Sequence, residues 1–208
     1  MSRLLAEVRW LLLLAICLGL FAVLITYTKS DPAWSHASFE TPKNIGGRMG
    51  AWAADLMFYI FGVSAFWWVI LFARRVVTQW RELWSVPLPP DPSIKPESVW
   101  TRWLGFGLTL TCSMGLESIR LHSLQWELPR PPGGILGEVI GDPLQMAFGF
   151  TGSTLILLFG LAVGLSLFLH FSWLSLSEQV GRYIELGLRR LREKREKQED
   201  LKIGEQAA

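Results

Sequence analysis

Long runs without charge constrain this chain more than any other feature. Trp10 to Thr28 carries no charged residue between Arg9 and Lys29, and Leu56 to Ala73 carries none between Asp55 and Arg74. A shorter run extends from Trp103 to Leu116 and closes at Glu117, and a fourth covers Pro143 to Ser177. A bilayer-crossing helix needs about 20 mainly apolar residues. The pattern therefore predicts an all-α integral membrane fold with four spans, at about 10–28, 53–73, 103–119 and 151–176. The third run is thin for a crossing. Either Glu117 lies just inside the membrane boundary and stays wet, or the helix runs on through Ile119 with Arg120 snorkelling. Pro143, Gly149 and Gly152 break the last run near its start. Gly137 to Phe150 becomes a separate helix or a re-entrant segment before the fourth span. Arg3 and Arg9 ahead of the first run resemble a signal peptide, but the run is long for a signal core. No convincing small-x-small cleavage site follows, with Ser35-His36-Ala37 coming late, so the first span is read as uncleaved.

Composition agrees. Half of the 208 residues are hydrophobic and 18% are charged, and eleven are tryptophan, a residue that favours membrane–water interfaces. Cys17 and Cys112 both sit in apolar stretches, which argues against a disulfide framework and a cysteine-rich metal site. A net charge of +2 excludes a broad basic nucleic-acid surface. The charge is nevertheless uneven. Fifteen of the twenty Lys and Arg lie in the N-terminus, the middle loop and the tail; only Lys29, Lys43, Arg48, Arg120 and Arg130 lie in the first and third loops. The positive-inside rule then puts both termini in the cytoplasm. Residues 1–180 are read as the membrane domain, and 181–208 as a charged helical tail that starts a linker.

The first outer loop, about Lys29 to Gly50, holds Pro32, Pro42 and Gly46-Gly47 and reads as irregular. The middle loop, with Pro87, Pro89, Pro90, Pro92 and Pro96, reads as an extended inner connector flanked by Trp80, Trp84, Trp100 and Trp103 at headgroup level. Before the last span, Pro129, Pro131 and Pro132 lead into Gly133-Gly134, and Gly137 and Gly141 continue a spacing of four from Gly133. That spacing fits a glycine-rich loop or a short helix packed closely on the bundle. Gly160 and Gly164 form a GxxxG pair, a helix-packing stripe.

Three ionisable residues come near the membrane interior. Asp55 is expected in the first turn of the second span, where a carboxylate faces the free N–H groups and the positive end of the helix dipole, a structural role. His170 is expected deep in the fourth span, hydrogen-bonded to a neighbouring helix. An ion-coupled carrier would need Asp55, Glu117 or His170 on a shared polar cavity near midplane, and no inverted repeat is visible. There is no G-x-S-x-G elbow, no H-E-x-x-H pair and no Gly-Lys dipeptide, hence no phosphate-binding P-loop and no catalytic set.

Two segments together carry a resemblance. The first is Asn44-Ile-Gly-Gly-Arg-Met-Gly-Ala-Trp-Ala-Ala-Asp55, followed by Phe58, Phe61-Gly62 and Ala65-Phe66. The second is Gly133-Gly134-Ile-Leu-Gly137, then Gly152, Gly164 and Ser172-Trp173. In this order they resemble the N-terminal four-transmembrane-helix domain of the FtsK/SpoIIIE family of bacterial DNA translocases, with Asn44, Gly46, Gly47, Gly50, Ala51, Ala54, Asp55, Phe61 and Gly62 on matching positions. One departure is Trp67-Trp68, where the family often has proline. The resemblance implies a membrane anchor in the bacterial inner membrane at the division septum. It implies contacts with lipids and division-septum proteins, self-association through glycine-faced helices, and no direct contact with nucleic acid by this segment. It also implies that the ATP- and Mg-dependent motor and the DNA-reading domain lie outside this sequence. No cofactor is expected within it.

Overall fold

The computed structural model describes residues 3–84, 99–121, 128–170, 173, 177–179 and 181–186. Its elements are α1 (Arg3–Ile25), α2 (Gly47–Phe61), a 3-10 helix (Gly62–Ala65), α3 (Phe66–Trp84), α4 (Val99–Arg120) and α5 (Gly134–Leu169), and no strand occurs among the described residues. The chain divides into two compact units, 1–168 and 169–208. Among the described residues three helical stretches are long and apolar enough to cross a membrane: Arg3–Ile25, Gly47–Trp84 and Gly134–Leu169. α4 is not one of them.

α1 is apolar nearly all round. Only Cys17 and Leu24 are buried, while Leu4, Leu11, Leu18 and Phe21 face outward, as on a helix whose remaining surface meets lipid. It docks on α3 along one stripe. The Trp10 indole N–H donates to the Val76 carbonyl (3.1 Å), the Cys17 thiol lies 3.7 Å from the Val69 carbonyl, and Trp10 stacks on Trp80 at 5.0 Å.

The second span does not run straight. The expected helix over 53–73 is a longer stretch, Gly47–Trp84, interrupted at Gly62 (φ 58°, ψ −145°) and resumed at Phe66 after one 3-10 turn. A break frees backbone N–H groups, and lipid offers them no partner. The protein supplies both acceptors: Val63 N–H donates to the Pro132 carbonyl (2.7 Å) and Ser64 N–H to Glu117 Oε2 (3.0 Å). Beyond the break, Trp67 and Trp68 turn inward. Trp68 meets Phe61 and Phe106, Trp67 meets Phe168, and these rings join Leu71, Leu110 and Met114 in one core. The Arg74 guanidinium donates to the Phe168 carbonyl and lies over the Phe168 ring, tying α3 to the last turns of α5.

α5 begins at Gly134 and holds Pro143, and at Gly149 it kinks (φ 67°, ψ 178°). The stretch from Gly134 to Phe148 is thus a helix of its own, one of the two expected forms, and it meets the helix assigned to the fourth span at the non-helical Gly149. Arg120 sits against the kink. Its ring contact is with Phe150 (4.2 Å to the centroid), and its Nε donates to Thr154 Oγ1 (3.2 Å).

The fourth span is expected to run to 176, and of its last residues 171–172 and 174–176 lie outside the described residues. α5 stops at Leu169, and His170 is exposed in the left-handed region (φ 54°), which ends a helix rather than continuing it. His170 is therefore not deep in a span. In the second unit, Trp173, 177–179 and 181–186 are helical, with Arg182 and Glu178 paired at 3.8 Å. The proline-rich loop at 87–96, Ser172 and the tail beyond 186 lie outside the described residues.

Candidate functional site

The loop between α1 and α2 is expected to be irregular, and it is; three buried polar side chains nevertheless fix its path. Asp31, 1% exposed, accepts the backbone N–H groups of Lys43 and Asn44, each at 2.9 Å. Asn44, also buried, donates its amide to the Val23 carbonyl (2.8 Å) and accepts from Gly46 N–H (2.9 Å), joining the loop to the end of α1 and the start of α2. Glycine is required alongside it. A Cβ on Gly50 would lie 2.6 Å from Asn44 Oδ1, one on Gly46 would lie 2.8 Å from Val23 Cγ2, and Gly47 has φ 62°. Ala51 and Ala54, small and buried, continue this face, with Ala54 packed among Leu24, Phe58 and Ala65.

Asp55 forms the third clamp. Because α2 starts at Gly47, Asp55 lies in its third turn, not its first, so the expected contact with the helix N-terminus is absent. Its carboxylate is wholly buried and accepts from the loop: Ser35 N–H (2.8 Å), Ser35 Oγ–H (3.0 Å) and Tyr27 Oη–H (3.2 Å). Asp31 and Ser35 escaped the sequence reading, since both are short polar residues in a loop with no periodic signal. Removing Asp31 frees two N–H groups, each worth about 1–3 kcal/mol if left buried without a partner. Asp31→Ala is expected to speed amide hydrogen exchange at Asn44 by at least tenfold in the detergent-solubilised chain. Unchanged exchange there would mean that the clamp does not hold the loop.

The second constellation gathers the remaining motif residues. Phe61-Gly62 and Gly133-Gly134, about 70 residues apart in sequence, touch backbone to backbone. A Cβ on Gly62 would overlap the Pro132 carbonyl, and one on Gly134 (φ 62°) would lie 2.5 Å from Gly62 N. On the other side, Cβ atoms on Gly133 and Gly137 would lie 2.5 and 2.6 Å from the Met114 carbonyl of α4. Glu117 closes the cluster. It is expected to be wet; instead it is 7% exposed, and Ser64 N–H, Ser64 Oγ–H (2.6 Å) and Ser113 Oγ–H (3.1 Å) all donate to it. Outside this junction Arg130 pairs with Glu138 (2.9 Å) and stacks on Tyr59.

Gly160 and Gly164 pack inside the chain. Gly164 lies against the Thr109 backbone of α4, where a Cβ would come within 2.7 Å of its nitrogen, and Gly160 lies against the Cys112 sulfur. α4 therefore fills the glycine face expected to serve self-association. Gly152 meets only Phe148 of its own helix, and Trp173 lies in the second unit with its side chain 45% exposed. Among the described residues, no three His, Cys, Asp or Glu side chains could hold a metal ion. Asp55 and Glu117 accept from separate sets of protein donors. The arrangement serves to hold backbone in fixed positions.

The family model for the 4TM region of DNA translocase FtsK/SpoIIIE matches residues 2–181. The chain is 50% identical over 207 residues to DNA translocase FtsK 2 of Ralstonia nicotianae, covering 99% of this chain and 26% of that protein. It is 32% identical over 179 residues to DNA translocase FtsK of Pseudomonas syringae pv. syringae, covering 81% and 20%. With DNA translocase FtsK of Vibrio vulnificus the identity is 33% over 159 residues, covering 76% and 15%. The chain thus spans about a quarter or less of the length of these curated relatives. No solved structure matches it.

Proposed function

Since the chain belongs to the FtsK/SpoIIIE family of DNA translocases, matched through its 4TM region, we propose that it anchors such a translocase in the bacterial inner membrane and serves as a scaffold at the division septum. In this reading residues 1–180 cross the membrane four times, by α1, by α2 and α3 together, by α4, and by residues 150–169 of α5. Both termini lie in the cytoplasm, as the fifteen-to-five division of basic residues favours. α4 is the least apolar of the four. It is sheltered because its Gly105, Thr109, Cys112 and Glu117 face protein rather than lipid. The tail from 181 leads toward the motor, which uses ATP and Mg to move DNA; this segment itself has no enzymatic role and touches no nucleic acid. Division-septum proteins meet the outer loop, and any self-association uses faces other than Gly160 and Gly164.

The single observation that carries the reading is the match over residues 2–181, within which Gly62, Gly133, Gly134 and Gly137 form one packed junction. A small carrier is the weaker alternative, because the two buried carboxylates are consumed by structural donors. The test has two parts. A reporter active only outside the cytoplasm, fused after Glu40, should be active, and one fused after residue 92 should be silent. A fluorescent fusion of the chain should be enriched at the septum in dividing cells; uniform membrane signal would count against the scaffold role.

A further inference from the structure

We propose that this chain docks on a second copy of itself head to tail: the glycine pair that opens α2 in one copy seats on the Gly149 break of α5 in the next. The proposal deepens the self-association named above. It rests on the chain spanning a membrane and does not depend on the septal role.

The chain contains a direct repeat. Gly46-Gly47 and Gly50 open α2, and Gly133-Gly134 and Gly137 open α5 at the same spacing. The backbone bonds agree. Gly47 N–H donates to the Asn44 carbonyl (2.9 Å) and Gly50 N–H to Gly46 (3.0 Å); Gly134 N–H donates to the Pro131 carbonyl (2.8 Å) and Gly137 N–H to Gly133 (3.0 Å). The second glycine of each pair has φ 62°. α2 runs 15 residues to Phe61 and breaks at Gly62; the first part of α5 runs equally far, to Phe148, and breaks at Gly149. Both breaks have positive φ, 58° and 67°, and an apolar helix follows each. Asp55 recurs in register as Asp142. Each glycine pair also packs on the helix before it: a Cβ on Gly46 would press on Val23 of α1, and one on Gly133 on Met114 of α4.

Inside the chain, the glycine pair of the second repeat seats on the break of the first. Gly134 abuts Gly62, the Pro132 carbonyl accepts Val63 N–H (2.7 Å), and Arg130 lies over Tyr59 beside them. The converse contact is empty. A Cβ on Gly47 meets nothing within 4 Å, and neither does one on Gly149. Burial follows the same division. Pro132 is buried and Leu136 half-buried, whereas their counterparts Ile45 and Met49 are exposed, Met49 at 83%. Gly62 and Ser64 are buried and Tyr59 half-buried, whereas Gly149, Thr151 and Met146 are exposed, Met146 at 88%. The chain therefore carries two unlike half-sites, each the counterpart of one that is filled.

The occupant follows from the symmetry. Two repeats related by a closed two-fold axis would bring Gly47 to Gly149 within one chain, and they do not. The contact between the repeats is heterologous, and a heterologous contact leaves one half of itself open at each end for the next copy. Applying the same operation once more puts the first repeat of another copy against the second repeat of this one. Both copies then keep one orientation in one membrane, as the two repeats do. The open half-sites are apolar, with Ile45 and Met49 bare on one and Met146, Phe148 and Phe150 on the other. Apolar surface of this kind marks an interaction face, and glycine at both centres lets the backbones approach. The Ile45 carbonyl takes the place that Pro132 holds at the filled contact.

The experiment is cysteine cross-linking in membranes. Two full chains with different tags are co-expressed, one carrying Ile45→Cys and the other Met146→Cys, and treated with a short bis-maleimide. Cys17 and Cys112 are buried, and the parent chain gives the background. The mixed pair should cross-link at least tenfold above that background. Ile45→Cys with Leu155→Cys, exposed on the fourth span, should stay at background, as should two Ile45→Cys chains. Met49→Asp on the Ile45→Cys chain should lower the mixed yield tenfold, with thermal melts in detergent reporting its fold. If Met49→Asp does not fold, Met146→Asp on a Phe148→Cys chain takes its place, paired with Ile45→Cys. A mixed yield no higher than the Leu155→Cys control means that lipid alone covers these faces and overturns the proposal. Equal cross-linking between two Ile45→Cys chains, or a yield indifferent to the aspartate in a folded variant, overturns it as well. Loss of the cross-link with septal enrichment intact would leave the anchor reading standing.

Discussion

Gly62→Ala should be among the most damaging single substitutions in this chain, and it adds only one methyl group. Gly62 holds φ 58° and ψ −145°, a region essentially restricted to glycine, and an alanine there costs about 1–3 kcal/mol in backbone strain. Space is the second problem. The new Cβ would overlap the Pro132 carbonyl, the same group that accepts Val63 N–H. Relieving the clash moves that carbonyl and strands the N–H where water cannot reach it, at a further cost of about 1–3 kcal/mol. The expected loss is about 3 kcal/mol or more in total, read as reduced resistance to unfolding by SDS or heat in detergent. Gly107→Ala is the control. A Cβ on Gly107 meets nothing within 4 Å inside α4, and alanine is the better helix former, so a gain of about 0.5–1 kcal/mol is expected. Gly134→Ala should match Gly62→Ala in direction, because its Cβ would press on Gly62 N. The double variant should cost less than the sum, since both damage one contact. Equal stability of the Gly62→Ala and Gly107→Ala variants would mean that the two glycine segments do not meet.

This junction shows where sequence reasoning stops. The helices themselves were readable, because the charge-free runs from Trp10, Leu56 and Pro143 have no other comfortable home than a membrane. The break inside the second run was not. Apolar periodicity is continuous from Phe58 to Val69, and Gly62 followed by Ser64 is a weak cue in a membrane helix, where glycine and serine are common. What makes it a break is the arrival of Pro132 and Glu117 from elsewhere in the chain. Asp55 shows the same limit. Its place near the start of a span points to a structural role at the helix N-terminus, but its partners lie instead in the loop 20 residues upstream. The Gly160/Gly164 stripe was visible as a packing face, yet only the structure reveals that α4 fills it. His170 could not have been placed, since nothing in Phe168-Leu-His-Phe signals a left-handed residue.

Glu117 also shows what a long-range partner conceals, and it supplies the second large effect. Replacing it with alanine should destabilise the bundle about as much as Gly62→Ala does, by a different route. Three donors, Ser64 N–H, Ser64 Oγ–H and Ser113 Oγ–H, converge on this one carboxylate. The two hydroxyls can turn to other acceptors, such as backbone carbonyls of their own helices. Ser64 N–H cannot turn. It lies in the 3-10 helix that interrupts the span, and without Glu117 it remains an orphan in a low-dielectric core. The expected loss is about 3 kcal/mol, one stranded N–H plus two weakened hydroxyl bonds. Glu117→Gln keeps a carbonyl oxygen for Ser64 N–H but brings an amide that donates where Ser64 Oγ–H also donates. It should recover about half of the loss. Ser64→Ala should cost only about 1 kcal/mol, because the backbone bond survives. In the Ser64→Ala background Glu117→Ala should then cost measurably less than in the parent, a coupling of about 1 kcal/mol. SDS or thermal unfolding in detergent reads all four variants. Hydrogen exchange at the Ser64 amide reads the specific bond, and it should rise at least tenfold in Glu117→Ala and stay near the parent rate in Ser64→Ala. If Glu117→Ala unfolds like the parent and leaves that amide protected, the carboxylate is not what holds the break, and the second span must be stabilised by the Pro132 contact alone.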